Sequence, residues 1–207
     1  DGVPQMLFYM VSNTTWAFFS SCIGATSSIF TGNAGLYGKI YFPRLVVPFS
    51  SALTNFYNYL ITLGFFIVIE FFYTAAFGWK IYFGPALILL PLSLLIFTLL
   101  GMGVGLIISS LTIRYRDLSM MVGYGISFWM YITPVIYPLS QFPDKFHNIL
   151  LLNPAAPLMQ TVRWALLGGF DKSIAPYYIG SAVFSVLIFL YGTMLFNRAE
   201  RTFVDIV

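Results

Sequence analysis

The sequence predicts an all-α bundle of membrane-spanning helices, and three observations carry that reading. Only 8% of the 207 residues are charged and 59% are hydrophobic, whereas a water-soluble domain carries about 25% charged residues. Mean hydropathy is +0.85, and a surface so poor in charge is matched by lipid as its solvent. The apolar residues gather in five stretches, each near the roughly 20 residues a transmembrane helix needs.

The first stretch, 7–29, is unusually polar for a span: Ser12, Asn13, Thr14, Thr15, Ser20, Ser21, Thr26, Ser27 and Ser28 interrupt it. Small and hydroxyl side chains suit tight helix packing, so this helix is expected to face protein or a wet cavity. The second, 45–73, is long enough to tilt. Glu70 lies about 37 Å from Leu45 at 1.5 Å per residue, a depth that suits an interfacial carboxylate; the alternative is a polar group at a channel exit. The third, 85–111, contains Gly101 and Gly105, a GxxxG pair that leaves one face bare for close contact, and Pro91, a candidate kink. The fourth, 118–137, ends in the doubly broken Thr133-Pro134-Val135-Ile136-Tyr137-Pro138.

Between the fourth and fifth stretches, the loop 139–176 holds two short apolar segments, 146–152 and 158–167, separated by Asn153-Pro154 and Pro157. Neither is long enough to cross a bilayer, so both read as re-entrant or interfacial helices. The fifth span is 177–196. With no internal repeat or linker, one membrane domain, 1–207, fills the chain.

The net charge of +3 comes from scattered Lys and Arg, which make no phosphate-tracking stripe and so no nucleic-acid surface. They flank spans instead. With the C-terminus inside, the cytoplasmic segments hold Lys39, Arg44, Arg114, Arg116, Arg198 and Arg201, and the outer ones Lys80, Lys145, Arg163 and Lys172. That is the direction of the positive-inside bias. Trp79, Tyr82 and Tyr137 fall where aromatic belts belong.

Catalysis needs a nucleophile with a base, paired acids or metal ligands. The seven acids are dispersed, His147 has no Cys or His neighbour, and the lone Cys22 lies within an apolar segment. No metal site is expected. Asn33-Ala34-Gly35-Leu36-Tyr37-Gly38-Lys39-Ile40 has the Gly-Lys of a phosphate-binding loop but lacks its first glycine and the hydroxyl that holds Mg²⁺. If ATP drives this protein, another chain binds the ATP and its Mg²⁺, and no cofactor is expected in this one. What remains is architectural: a polar span and a glycine-marked helix to frame a path, a broken outer loop to gate it, and two short segments, 33–44 and 113–117, to meet a motor.

Several motifs sharpen this. Asn33-Ala34 followed by Lys39-Ile40-Tyr41-Phe42-Pro43-Arg44, with Pro48 beyond, resembles the ABC-2-type permeases of polysaccharide and polyol-phosphate exporters (O-antigen, capsule, teichoic acid). The resemblance continues at Arg114-Tyr115-Arg116-Asp117-Leu118, at 133–138, at Asn153-Pro154, at Arg163-Trp164-Ala165-Leu166-Leu167-Gly168 and at 198–205. Each motif alone is weak; six in order over nearly the whole chain are specific. The resemblance implies six spans, an amphipathic cytoplasmic N-terminal helix and a homodimer. The helix and first span are then missing here, which gives five crossings and places Asp1 outside.

The resemblance also implies partners: two copies of an ATP-binding cassette ATPase, docking through Asn33, Lys39, Phe42, Pro43 and Arg44 with Arg114, Arg116 and Asp117 nearby. The substrate would be a lipid-linked glycan, and the location a bacterial or archaeal cytoplasmic membrane. Tyr124, Trp129 and Tyr131 are candidates to line the path by stacking on sugars, the alternative being lipid or interhelix packing. Pro134, Tyr137, Pro138, Asn153, Pro154, Arg163 and Trp164 are candidates for the outer gate. The alternatives are a drug or small-lipid exporter of the same superfamily, an integral-membrane glycosyl- or acyltransferase, and a structural bundle. The enzyme reading lacks the clustered acids or membrane-face His it would need.

Overall fold

The computed structural model describes residues 3–29, 45–82, 84–113, 115, 117–169 and 172–204. All regular structure among them is helical. The helices are α1 (Gln5–Ser27), α2 (Val46–Phe77), α3 (Leu89–Thr112), α4 (Leu118–Ile132), α5 (Asp144–Leu151), α6 (Ala155–Leu167) and α7 (Ala175–Val204). Short 3₁₀ turns at Pro85–Ile88, Leu139–Gln141 and Lys172–Ile174 lead into α3, α5 and α7.

Three of these helical segments are long and apolar enough to cross a membrane: Val46–Phe77, Ala86–Thr112 and Ala175–Ala199. Helix α1, at 23 residues, has the length but carries the polar residues noted above. Helix α4 is cut to 15 residues, about 22 Å at 1.5 Å per residue, against an expected end at 137. Its limit is Thr133, whose φ/ψ of −86°/137° is extended; a residue before proline is driven out of the helical region by the proline Cδ.

Proline explains two further departures. Pro91, a candidate kink, falls in the first turn of α3, directly after the 3₁₀ turn Pro85–Ile88, where proline is tolerated. Pro157 does not interrupt the second loop segment, because it occupies the first turn of α6.

Helix α3 is the hub, packing against α7, α1, α6 and α4. Its glycines make this possible. A Cβ on Gly101 would lie 2.9 Å from Cys22 Cβ, and one on Gly105 only 2.5 Å from Thr26 Cβ, so the GxxxG face is the seat of α1. On the opposite side a Cβ on Gly103 would lie 2.7 Å from the Phe189 backbone nitrogen, and one on Gly192 would lie 2.6 Å from Gly103 O. Backbone therefore meets backbone between α3 and α7, as small residues allow in lipid. The core between α1, α3 and α6 is filled by Leu7, Phe19, Ile23, Phe97, Leu100, Leu158 and Val162.

Helix α2 buries only Pro48, Ala52, Tyr59, Phe66 and Glu70 and leaves most of its aromatic and aliphatic length exposed. That surface suits lipid. Glu70 is 5% exposed, enclosed near the end of α2. Its Oε1 and Trp79 Nε1 are both buried, and neither has a hydrogen-bond partner of normal geometry.

Candidate functional site

At the end of the bundle where α1 begins and α4 breaks off, α6 lays a charged side chain into the protein. Arg163 is 3% exposed. Its Nε donates to Ser12 Oγ on α1 at 2.9 Å, its Nη1 to Gln160 Oε1 at 3.4 Å, and its Nη2 to the carbonyls of Pro134 and, at 3.3 Å, Val135. The guanidinium carbon also sits 4.3 Å from the centroid of the Phe8 ring, within range of a cation–π attraction.

Every one of these partners is uncharged, so carbonyl dipoles and a π face carry the compensation. The two carbonyls lie just past the C-terminal end of α4, where the helix dipole also favours a cation. Burial pushes the Arg163 pKa down to about 9, which leaves the group charged at neutral pH.

A second junction lies beside it. Asn153, in the turn between α5 and α6, accepts from Trp129 Nε1 at 3.0 Å and from the Ala155 backbone N–H at 3.2 Å, and donates to Thr133 Oγ1 at 2.8 Å. One amide thus ties the broken end of α4 to the start of α6. Pro154 is the N-cap of α6. Of the remaining candidate gate residues, Tyr137 donates to Tyr131 O at 2.9 Å, and Pro138 O starts the turn Leu139–Gln141. Trp164 is buried among Leu151 and Ile174. The structure therefore brings Pro134, Asn153, Pro154 and Arg163 into one knot joining α1, α4 and α6, with Tyr137, Pro138 and Trp164 around it. His147 pairs with Leu139 O at 2.8 Å through Nε2.

The three candidate path aromatics do not share a face. Tyr124 and Tyr131, seven residues apart on α4, are 81% and 66% exposed. Trp129 points inward, edge-on to Trp16 and Phe19, and is held by Asn153.

A different feature has the properties of a path. On α1 an inclined row of exposed residues, Gln5, Tyr9, Asn13, Ala17 and Ser21, recurs every four positions, so it winds across the helix. Its upper half borders a cavity of about 430 Å³ shared with Met130, Val135 and Ile136 at the end of α4. Its lower half borders one of about 120 Å³ lined also by Thr14, Asn55, Asn58, Tyr59 and Thr62, the last four from α2. Together they make an uncharged diagonal trough, its upper part largely apolar apart from Tyr9, Asn13 and Thr14, its lower part mixing Thr14, Ser21, Asn55, Asn58 and Thr62 with Ala17, Phe18 and Tyr59. Hydrocarbon would offer the exposed amides of Asn13 and Asn58 no hydrogen bond.

The candidate coupling residues Asn33, Lys39, Phe42, Pro43, Arg44, Arg114 and Arg116 lie outside the described residues. Asp117 is the N-cap position of α4, where its carbonyl accepts from Met120 N–H at 3.1 Å. No cluster of three His, Cys, Asp or Glu that could hold a metal occurs among the described residues.

Sequence reasoning missed Ser12, Thr133 and Gln160. Ser12 and Arg163 are 151 positions apart, and only the unusual polarity of the first span hinted that it would meet a polar partner. It also missed that the polar residues of α1 and α2 converge, although both sets were visible in the chain.

A family model described as ABC-2 type transporter matches residues 1–167. The chain belongs to the ABC-2 type transporter family. Its relatives include two proteins described as O-antigen export system permease protein RfbA. The one from Klebsiella pneumoniae is 29% identical over 211 residues, covering 99% of this chain and 77% of that protein. The one from Myxococcus xanthus is 28% identical over 204 residues, covering 97% and 76%. As an ABC-2 transporter the chain is a multi-pass membrane protein that works with an ATP-binding cassette subunit, the part that hydrolyses ATP.

Proposed function

We propose that this ABC-2 chain is the membrane-spanning permease of an ATP-driven exporter that moves lipid-linked polysaccharide across the cytoplasmic membrane. The observation that carries the proposal is the trough, where Asn13, Thr14, Ser21, Asn55, Asn58 and Thr62 stand among apolar neighbours between α1 and the otherwise apolar, exposed α2. Such a lining offers hydrogen bonds to hydroxyls and no charge to hold them fast, which suits a long neutral chain that must keep moving. The export names of the relatives point to the same class of cargo.

In this reading residues 1–207 form one transmembrane domain, and α1, α2, α3, α4 and α7 are five crossings with the C-terminus inside. Two copies enclose the path. Two ATPase subunits, which carry the ATP and Mg²⁺, dock on the segment holding Asn33, Lys39, Phe42, Pro43 and Arg44 and on the turn of Arg114, Arg116 and Asp117. Their closure moves α1 and α4, and the knot at Arg163 and Asn153 passes that motion to the α5–α6 hairpin, which enters the outer leaflet without crossing. The lipid of the substrate stays against the hydrocarbon while the glycan follows the trough.

The test is reconstitution with the ATPase into lipid vesicles. ATP-dependent appearance of lipid-linked polysaccharide on the far leaflet, requiring both chains, is the expected result. ATP hydrolysis or glycosyl transfer by the purified permease alone would overturn the reading, as would a hydrolysing complex that moves no glycan.

A further inference from the structure

We propose that the inner half of α4 is a strap that closes onto α1 and α3, bending at Gly123–Gly125 while its outer half stays fixed. This rests on the export reading above, in which closure of the ATPase moves α4. None of the 15 residues of α4 is fully buried, although the helix lies beside α1 and α3. Between the three is a cavity of about 330 Å³ lined by apolar residues. Ile23, Val104 and Ile108 form its far wall, and Leu118, Met121 and Val122, in the first turns of α4, its near wall. Side chains that face a void lack partner atoms on that side and forfeit dispersion contacts. Packing of this kind is a principal attraction between helices in lipid, and closing the cavity would supply it to both walls.

The middle of α4 is built to bend. No described atom lies within 4 Å of a Cβ placed on Gly123 or on Gly125. Packing therefore does not require glycine at either position. On α3 it does: a Cβ on Gly101, Gly103 or Gly105 would lie 2.9, 2.7 or 2.5 Å from a neighbour. What glycine brings to an open helix interior is looseness. Ser127 Oγ donates to Gly123 O at 2.9 Å across the same turn, and a hydroxyl bonded to the carbonyl four residues back often bends a helix. Glycine and serine together are a recurrent cause of kinks.

The outer half is pinned. Trp129 and Thr133 are bonded to Asn153, and the carbonyls of Pro134 and Val135 just beyond to Arg163. The arm from Tyr124 back to Leu118 is about 9 Å long at 1.5 Å per residue. A bend of about 20°, the size of a sharp kink, moves its tip by about 3 Å. The inner end of α4 can thus answer the ATPase before the motion reaches the knot, so that the inner end of the path changes while the outer gate is still shut.

The experiment is a spin-label distance measurement on the permease–ATPase complex in lipid nanodiscs, in a Cys22→Ser background. Labels at Leu111→Cys and Met121→Cys, both lining the cavity, report the strap. Labels at Leu95→Cys and Tyr131→Cys, exposed on the outer halves of α3 and α4, report the pinned part. With a non-hydrolysable ATP analogue and Mg²⁺, the inner pair is expected to shorten by about 3 Å while the outer pair holds its distance. Gly123→Ala, Gly125→Ala and Ser127→Ala together are expected to remove most of that shortening in a complex whose elution and nucleotide binding match the parent. No shortening of the inner pair overturns the proposal, as an acyl chain filling the cavity would produce. Equal shortening of both pairs, a rigid tilt of α4, also overturns it, and so does full shortening in the alanine variant. The vesicle export assay keeps the two readings apart: export without the shortening removes the strap alone, and shortening without export removes the export reading alone.

Discussion

Replacing Arg163 with methionine removes the charged centre of the outer knot while keeping much of its volume. Two effects oppose each other. The cost of holding a cation away from water disappears, which favours the variant. Against that, the carbonyls of Pro134 and Val135 lose their donor, and each buried polar group left unpaired costs about 1–3 kcal/mol; the Ser12 hydroxyl keeps its bond to Phe8 O. The Phe8 contact at 4.3 Å adds about 1 kcal/mol. Because the methionine supplies no donor, the losses dominate, and a net destabilisation of about 3 kcal/mol is expected.

For a chain of this size that corresponds to a fall in melting temperature of about 6–12 °C, measured on purified protein at a fixed scan rate. Arg163→Lys keeps the charge but loses the planar fork, and should fall between the two. Coupling can be isolated by adding Ser12→Ala: residues that share a hydrogen bond show a non-additive term of at least about 0.5 kcal/mol. A methionine variant as stable as the parent, with additive effects at Ser12, would refute the reasoning.

The seat of α1 on α3 makes a second test. Gly105→Val places a Cβ 2.5 Å from that of Thr26, so the two helices must separate; a loss of about 2 kcal/mol or more and poor recovery of folded protein in detergent are expected, and normal thermal stability would show that the contact is not tight. At the proposed docking segments, Arg44→Glu and Arg116→Glu are each expected to leave ATPase assembly possible but to cut export per ATP hydrolysed at least several-fold. Unchanged export by both reversed-charge variants would count against the coupling assignment.

The helices themselves were legible in the sequence because lipid imposes a simple rule, a run of about 20 apolar residues per crossing. The stretch 45–73 became Val46–Phe77 and the short segments 146–152 and 158–167 became Asp144–Leu151 and Ala155–Leu167. The GxxxG face was legible for the same reason, since it is a local spacing. What could not be read is position relative to other helices. Pro91 looks the same in a sequence whether it kinks a helix or starts one. Tyr124, Trp129 and Tyr131 look alike as candidate stacking groups, and only packing separates the inward Trp129 from the exposed pair. Arg163 was a gate candidate by resemblance, but its acceptors on α1 and beyond α4 come from distant parts of the chain and carry no local signature.

The central claim is that the diagonal face of α1 and α2 is wet while the rest of α2 is bathed in lipid. Cysteine accessibility tests it directly, after Cys22→Ser removes the chain's one native thiol. Ser21→Cys and Asn58→Cys lie in the trough, whereas Leu60→Cys and Ile67→Cys sit at exposed apolar positions on another side of α2. In the assembled exporter in membranes, a charged water-soluble thiol reagent should modify the first pair and spare the second. Labelling of all four alike, or of neither trough position, would contradict the assignment of the path.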